Sequence, residues 1–147
     1  KLKTSNIFFP DVNNPKKYDE IIKKNGGIDI FFLASGSTDG HVAFNNINTS
    51  LNSSTHIIKL SKTTRKDNLK TFNKAKSLSD IPLYGVTVGL KTIYKYSKTA
   101  ILVLAGKEKR IATSNIIHSN KFVNNWPSTI IYKCKKQYIF IEKNSIS

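Results

Sequence analysis

The stretch Ile28–Ala34 reads IDIFFLA and is followed, after Ser35, by Gly36–Asn45, GSTDGHVAFN. A short run that is nearly continuous in apolar residues, entered from Gly26 and Gly27, predicts a strand buried on both faces of a parallel sheet. The loop behind it sets Asp39, Gly40 and His41 side by side. Asp-Gly is a common tight-turn dipeptide because glycine supplies positive φ, and a plain turn accounts for Gly40. It does not account for the histidine or for the small residues before the acid, so the loop reads either as a turn or as a site.

On the amino-terminal side, NNPKKYDEIIKKNGG (13–27) predicts a helix: Asn14 caps, Pro15 takes the first position, Tyr18, Ile21 and Ile22 share a face, and Gly26 and Gly27 end it. On the other side THIIKL (55–60) predicts a second strand, and residues 61–80 have weak periodicity, part helix and part loop. YGVTVGLKTIYKY (84–96) fits a strand at Val86 and Val88 and a helix through Thr92, Tyr94 and Tyr96. TAILVLAG (99–106) is a clear strand. KEKRIATSNIIHS (107–119) predicts a helix with Ile111, Ile116 and Ile117 inward, PSTIIYKC (127–134) a short helix opened by Pro127, and QYIFIEK (137–143) a last strand. The alternation predicts a three-layer α/β domain with a mainly parallel, Rossmann-like sheet whose core strands are 28–34, 99–105 and 137–142.

The formal net charge of +15 invites a nucleic-acid partner. The kind of charge argues against one: 22 lysines stand against Arg65 and Arg110, and base recognition favours the guanidinium fork. Phe31, Phe32, Phe122 and Trp126 lie within apolar runs and are not interleaved with lysines as on a stacking platform. Lysine, asparagine and isoleucine abound together, as an AT-rich genome would produce without any partner. The single cysteine, Cys134, excludes an internal disulfide and fits a reducing, cytoplasmic compartment. It reads as a buried, inert thiol. His41, His56 and His118 are too scattered for a metal site, and no cofactor is expected. No apolar run approaches the roughly 18 residues of a membrane span, and residues 1–14 lack the pattern of a signal peptide. A sequence that starts at Lys1 and contains no methionine reads as a piece of a longer translation product.

In open parallel sheets, ligands gather beyond the carboxyl ends of the strands. GSTDGH follows one strand and GKEKR another, so both loops are expected on one rim. That raises the site reading of Asp39 and His41.

GGIDIFFLASGSTDGHVAFN resembles the central motif of the glucosamine-6-phosphate deaminases (isomerases), and VTVGLKTI, AILVLAGKEK and WPSTIIYKC resemble later segments of the same family in the same order. The resemblance runs over nearly all of residues 1–147 and covers the carboxyl-terminal part of a family member as a single domain, incomplete at its amino terminus. The related 6-phosphogluconolactonases share Asp-Gly-His but continue through Ala-Ser-Leu-Phe-Pro, so HVAFN favours the deaminase branch, with a lactonase-like hydrolase as the second enzyme reading.

The resemblance implies conversion of glucosamine 6-phosphate and water to fructose 6-phosphate and ammonia, in amino-sugar catabolism. It gives His41 the ring-opening role, suited to an imidazole whose ordinary pKa of about 6.5 exchanges protons near neutrality. Asp39 orients that imidazole. Asn46 stands where the family has a third catalytic residue, a glutamate, and an amide cannot offset an imidazolium charge. Gly36 and Gly40 shape the substrate loop. Lys109 falls on a phosphate-contacting lysine, and Lys70 on a phosphate-contacting arginine. The family's amino-terminal phosphate loop and proton-transfer base have no counterpart in these residues, so ring opening is expected without complete turnover. A fold lacking that part is expected to expose sheet edges and strand faces, and to self-associate.

Overall fold

The computed structural model describes residues 2–69, 72 and 75–146. Helix α1 (Lys17–Lys24) leads through Gly26 and Gly27 into strand β1 (Ile28–Ala34). Then come β2 (His56–Lys59), α2 (Lys62–Leu69), β3 (Tyr84–Thr87), α3 (Leu90–Tyr96), β4 (Ser97–Leu104), α4 (Arg110–His118) and β5 (Gln137–Ile141). A 3-10 helix, Pro127–Lys133, with Pro127 at its start, joins the last two.

β1, β4 and β5 form one parallel sheet in the order β1-β4-β5. Phe32 lies opposite Ile101, and Ile101 opposite Tyr138. β2 and β3 form a separate antiparallel pair, with His56 opposite Thr87. The α/β class and the parallel core are as expected. The stretch 84–96 resolves into both of its readings, strand then helix. α1 differs in its cap: the Asn14 backbone carbonyl accepts from Lys17, and no side chain caps the helix.

Strand alternation puts Leu33, Ala100, Leu102 and Leu104 on one sheet face, where they pack with Leu90 and Ile93 of α3, Ala112 and Ile116 of α4, and Ile130 and Ile131 of the 3-10 helix. The opposite face departs from the expected double burial. Ile30 is 53% and Phe32 69% exposed, because none of the described elements packs over them. α4 departs similarly: Ile116 is buried, but Ile111 and Ile117 are about half exposed. Its inner face is Ala112, Thr113 and Ile116, where small residues let the helix sit close to the sheet.

Asp19, buried on α1, ties the amino-terminal helix to the rest. Its carboxylate accepts from the Thr55 backbone N–H at 2.8 Å and from the Thr92 hydroxyl of α3. A carboxylate buried this deeply persists because its oxygens are hydrogen-bonded. The antiparallel pair is held to the loop after β1 in the same manner, Phe44 N–H donating to Thr87 Oγ1 at 3.1 Å.

Candidate active site

Where β1 ends, the chain turns back on itself: Gly36 N–H donates to the His41 carbonyl at 2.7 Å, and Ser35 bridges to Val42. Inside this loop the Asp39 carboxylate accepts from the His41 backbone N–H at 3.2 Å and contacts the ring Nδ1 at 2.7 Å. With Nδ1–H donated to the carboxylate, Nε2 is the ring nitrogen left for a substrate. Burial raises the Asp39 carboxyl, but the hydrogen bonds and charge of His41 outweigh it and hold it below the ordinary aspartate range.

Both loop glycines are required by contact. A Cβ at Gly36 would stand 2.3 Å from Asp39 Oδ1 and from His41 Nδ1, so the pair packs directly on the bare α-carbon. Gly40 has φ +63° and its α-carbon lies under the Trp126 indole. The segment Trp126–Ser128 buttresses the loop further, Ser128 N–H donating to the Gly40 carbonyl at 2.8 Å and Ser128 Oγ meeting Ser35 Oγ at 2.8 Å. Ala43 takes φ +51°, a conformation that costs a non-glycine residue about 1–2 kcal/mol. Asn45 holds the backbone there, its side-chain amide donating to the carbonyls of Val42 at 3.0 Å and Val88 at 2.8 Å.

The loop after β4 converges on the same place. The chain turns at Gly106 (φ +99°) into a 3-10 turn, Lys107–Lys109, and Lys109 Nζ donates to the Ser35 carbonyl at 2.7 Å. One of the three ammonium protons is thereby engaged and two are free for a ligand. A cavity of about 390 Å³ opens between the loops, lined among others by Phe32, Ser35, His41, Asp67, Glu108 and Lys109. The expectation that both loops share one rim holds. An imidazole backed by a carboxylate, an ammonium and two further carboxylates can exchange protons with a polar ligand while binding its anionic group.

Asn46 does not line the cavity; its side-chain amide donates to the Lys59 carbonyl at 3.2 Å. Lys70 lies outside the described residues. His56 and His118 each donate from Nδ1 to a local carbonyl, of Ser54 and Ser114, and play no part. Cys134 is buried, and burial pushes its thiol up to about 11. No group of three or more His, Cys, Asp or Glu side chains that could hold a metal ion occurs among the described residues. Asp67 carries no motif, and Trp126–Ser128 opens the segment WPSTIIYKC without any local sign of contact with the loop; only the folded chain reveals their place.

No protein-family model matches the sequence. The glucosamine-6-phosphate deaminase of Halalkalibacterium halodurans is 33% identical over 131 residues, which is 89% of this chain and 51% of that protein. The enzyme of the same name from Mycoplasma mycoides subsp. mycoides is 33% identical over 99% of this chain and 59% of its own length. A solved monomeric glucosamine-6-phosphate deaminase, described as a missing link of the NagB superfamily, superposes with a TM-score of 0.86 at 27% identity, covering 97% of this chain and 59% of that one. Over its own length, this chain is similar to the glucosamine-6-phosphate deaminases. It spans between half and three fifths of those relatives. A 6-phosphogluconolactonase from Thermotoga maritima shares the fold at a TM-score of 0.63 and 17% identity. No helix is long and apolar enough to cross a membrane among the described residues.

Proposed function

We propose that this chain binds a hexosamine 6-phosphate, with glucosamine 6-phosphate as the fitting substrate, and opens its pyranose ring. The observation that carries the reading is the His41 imidazole, held by Asp39 at 2.7 Å, lining the same cavity as Lys109. A phosphorylated sugar needs a fixed cation for its dianion and an acid–base group at the far end, and these residues supply both.

In the proposed step, His41 Nε2 accepts the proton of the anomeric hydroxyl, the C1=O1 double bond forms as the C1–O5 bond breaks, and the imidazolium delivers that same proton to O5, so ring opening balances without a co-reactant. The Asp39 carboxylate stabilises the imidazolium formed on the way. Lys109 acts as a point charge on the phosphate. Deamination to fructose 6-phosphate and ammonia also requires proton transfer between C2 and C1, with a second base about 2.6–3.2 Å from that proton. Ring opening is the step that His41 and Asp39 themselves support.

Thermal protection tests the binding half of the proposal. Glucosamine 6-phosphate at about one hundred times its dissociation constant adds about 2.7 kcal/mol to the folded state. The expected result is protection by glucosamine 6-phosphate, none by glucosamine, and loss of protection in Lys109→Ala. Equal protection by the unphosphorylated sugar would contradict the phosphate role. The deaminase reading is preferred to a lactonase because the deaminase neighbour superposes at 0.86 and the lactonase at 0.63.

A further inference from the structure

A second cleft, of about 380 Å³, opens at the opposite end of the sheet from His41. It lies where the strands begin: Gly26 and Gly27 lead into β1, Ser97 is the first residue of β4, and Lys135 stands just before β5. Strand β1 rises about 3.3 Å per residue over its length, which puts roughly 20 Å between the two cavities. Charge distinguishes them. The cavity at His41 carries the carboxylates of Asp67 and Glu108 beside Lys109. The second is lined by Lys23, Lys95, Lys98 and Lys135, and by no acidic side chain among the described residues. Asp29, paired with Lys98 at 2.7 Å, offsets one of these charges and leaves the others unbalanced.

Helix ends account for two of the lysines. Lys23 and Lys95 stand in the last turns of α1 and α3, where a cation offsets the partial negative charge of the helix end. Lys98 in β4 and Lys135 in the connection to β5 stand on no helix. Ammonium groups gathered round one cleft repel one another and focus a positive field into it. Lys23 Nζ sits 5.3 Å from the ring centroid of Tyr96, and Lys133 Nζ 5.9 Å from that of Tyr94, so the two tyrosines in the wall hold ammonium groups at the rim. Ser97, also in the lining, is 4% exposed, and its buried hydroxyl has no hydrogen-bond partner among the described residues. An orphaned hydroxyl of this kind supplies a donor for an anionic oxygen entering from the cleft.

We propose that this cleft binds a short chain of linked phosphates, as in an inorganic oligophosphate or the phosphate tail of a nucleoside triphosphate. The lysine set chooses that chemistry. Ammonium groups without a guanidinium act as separate point charges, which suits an anion whose charge is spread along a chain. A lone carboxylate is better held by the planar fork of arginine, which the lining lacks, and would engage only part of the set. The bound phosphates neutralise lysines that otherwise repel one another.

The test titrates the whole chain with sodium tripolyphosphate by isothermal calorimetry in about 0.1 M salt, where exposed charges more than about 10 Å apart are screened. The expected result is one tripolyphosphate per chain, bound about tenfold more weakly by Lys95→Ala/Lys135→Ala. Both lysines are exposed, and circular dichroism confirms that the variant is folded. Lys107→Ala/Lys143→Ala removes the same charge from the other end of the sheet and is expected to leave affinity unchanged. Lys109→Ala is expected to leave it unchanged too, so the outcome does not depend on the proposed sugar-phosphate binding. ATP added to the complex separates the two sources: displacement of tripolyphosphate assigns a nucleotide's phosphate tail, and failure to displace it assigns the inorganic chain, both with phosphates in the cleft. No binding at about 1 mM tripolyphosphate would overturn the inference. So would an equal loss in the two lysine pairs, because overall charge would then hold the anion, or a loss in Lys109→Ala, which would put it in the cavity at His41.

Discussion

The indole of Trp126 lies on the α-carbon of Gly40: a Cβ added there would come within 2.4 Å of Trp126 Cδ2. The two residues are far apart in sequence, and their contact joins the start of the 3-10 helix Pro127–Lys133 to the loop that carries Asp39 and His41. The Asp39–His41 loop thus takes its shape partly from the carboxyl-terminal segment, reinforced by the Ser128 N–H bond to the Gly40 carbonyl.

Gly40→Ala is therefore expected to destabilise the protein by about 2–5 kcal/mol, the sum of a positive-φ cost and an overpacking cost. Trp126→Ala relieves the clash, so the double variant should lose less than the two single losses added together. Chemical denaturation of the four proteins measures this coupling; strict additivity would show that the indole does not set the loop.

Gly36→Ala separates site from stability. The new methyl would collide with the facing atoms of the Asp39–His41 pair, both side chains that can swing aside. The expected outcome is a folded protein with a modestly lowered melting temperature and loss of the His41 function. Nitrogen-15 NMR of the imidazole checks it, since release from Asp39 removes the Nδ1 hydrogen bond.

The acid side of the stability profile follows from Asp39. Its folded pKa lies below the unfolded value of about 3.9, so its contribution is fully present above that value and is lost as pH falls through the folded one. The melting-temperature gap between the native protein and Asp39→Asn should shrink as pH falls from about 5 through the carboxylate range. A gap that stays constant below that pH would show that the carboxylate gains nothing from His41.

Asp19→Ala should be more damaging than any surface acid substitution. It leaves the Thr55 N–H and the Thr92 hydroxyl without their charged partner inside the fold, at about 1.5–3 kcal/mol for each bond. Urea unfolding compares it with Asp29→Ala, whose ion pair with Lys98 is exposed and worth little.

β1 and its loop were legible in the sequence because the information is local: an apolar run, a turn dipeptide and a histidine within a few residues. The parallel core was legible for the same reason. The open face was not: a continuous apolar run predicts burial on both sides of a strand, whereas Ile30 and Phe32 are exposed among the described residues. Ile111 and Ile117 misled in α4 because residue size, and not hydrophobicity alone, chose the inner face at Ala112 and Thr113. Trp126, Ser128 and Asp67 reach the site through tertiary contact across long sequence separations, which periodicity does not encode.

The ring opening proposed for His41, oriented by Asp39, is measured most directly by NMR exchange spectroscopy of glucosamine 6-phosphate, because the two anomers interconvert only through the open chain. Anomer exchange should be faster in the presence of the protein, with about 10²–10⁴-fold of that acceleration lost in His41→Ala and an intermediate loss in Asp39→Asn. Acceleration that survives His41→Ala in full, or its absence from a protein that glucosamine 6-phosphate does protect thermally, would rule out His41 as the ring-opening group.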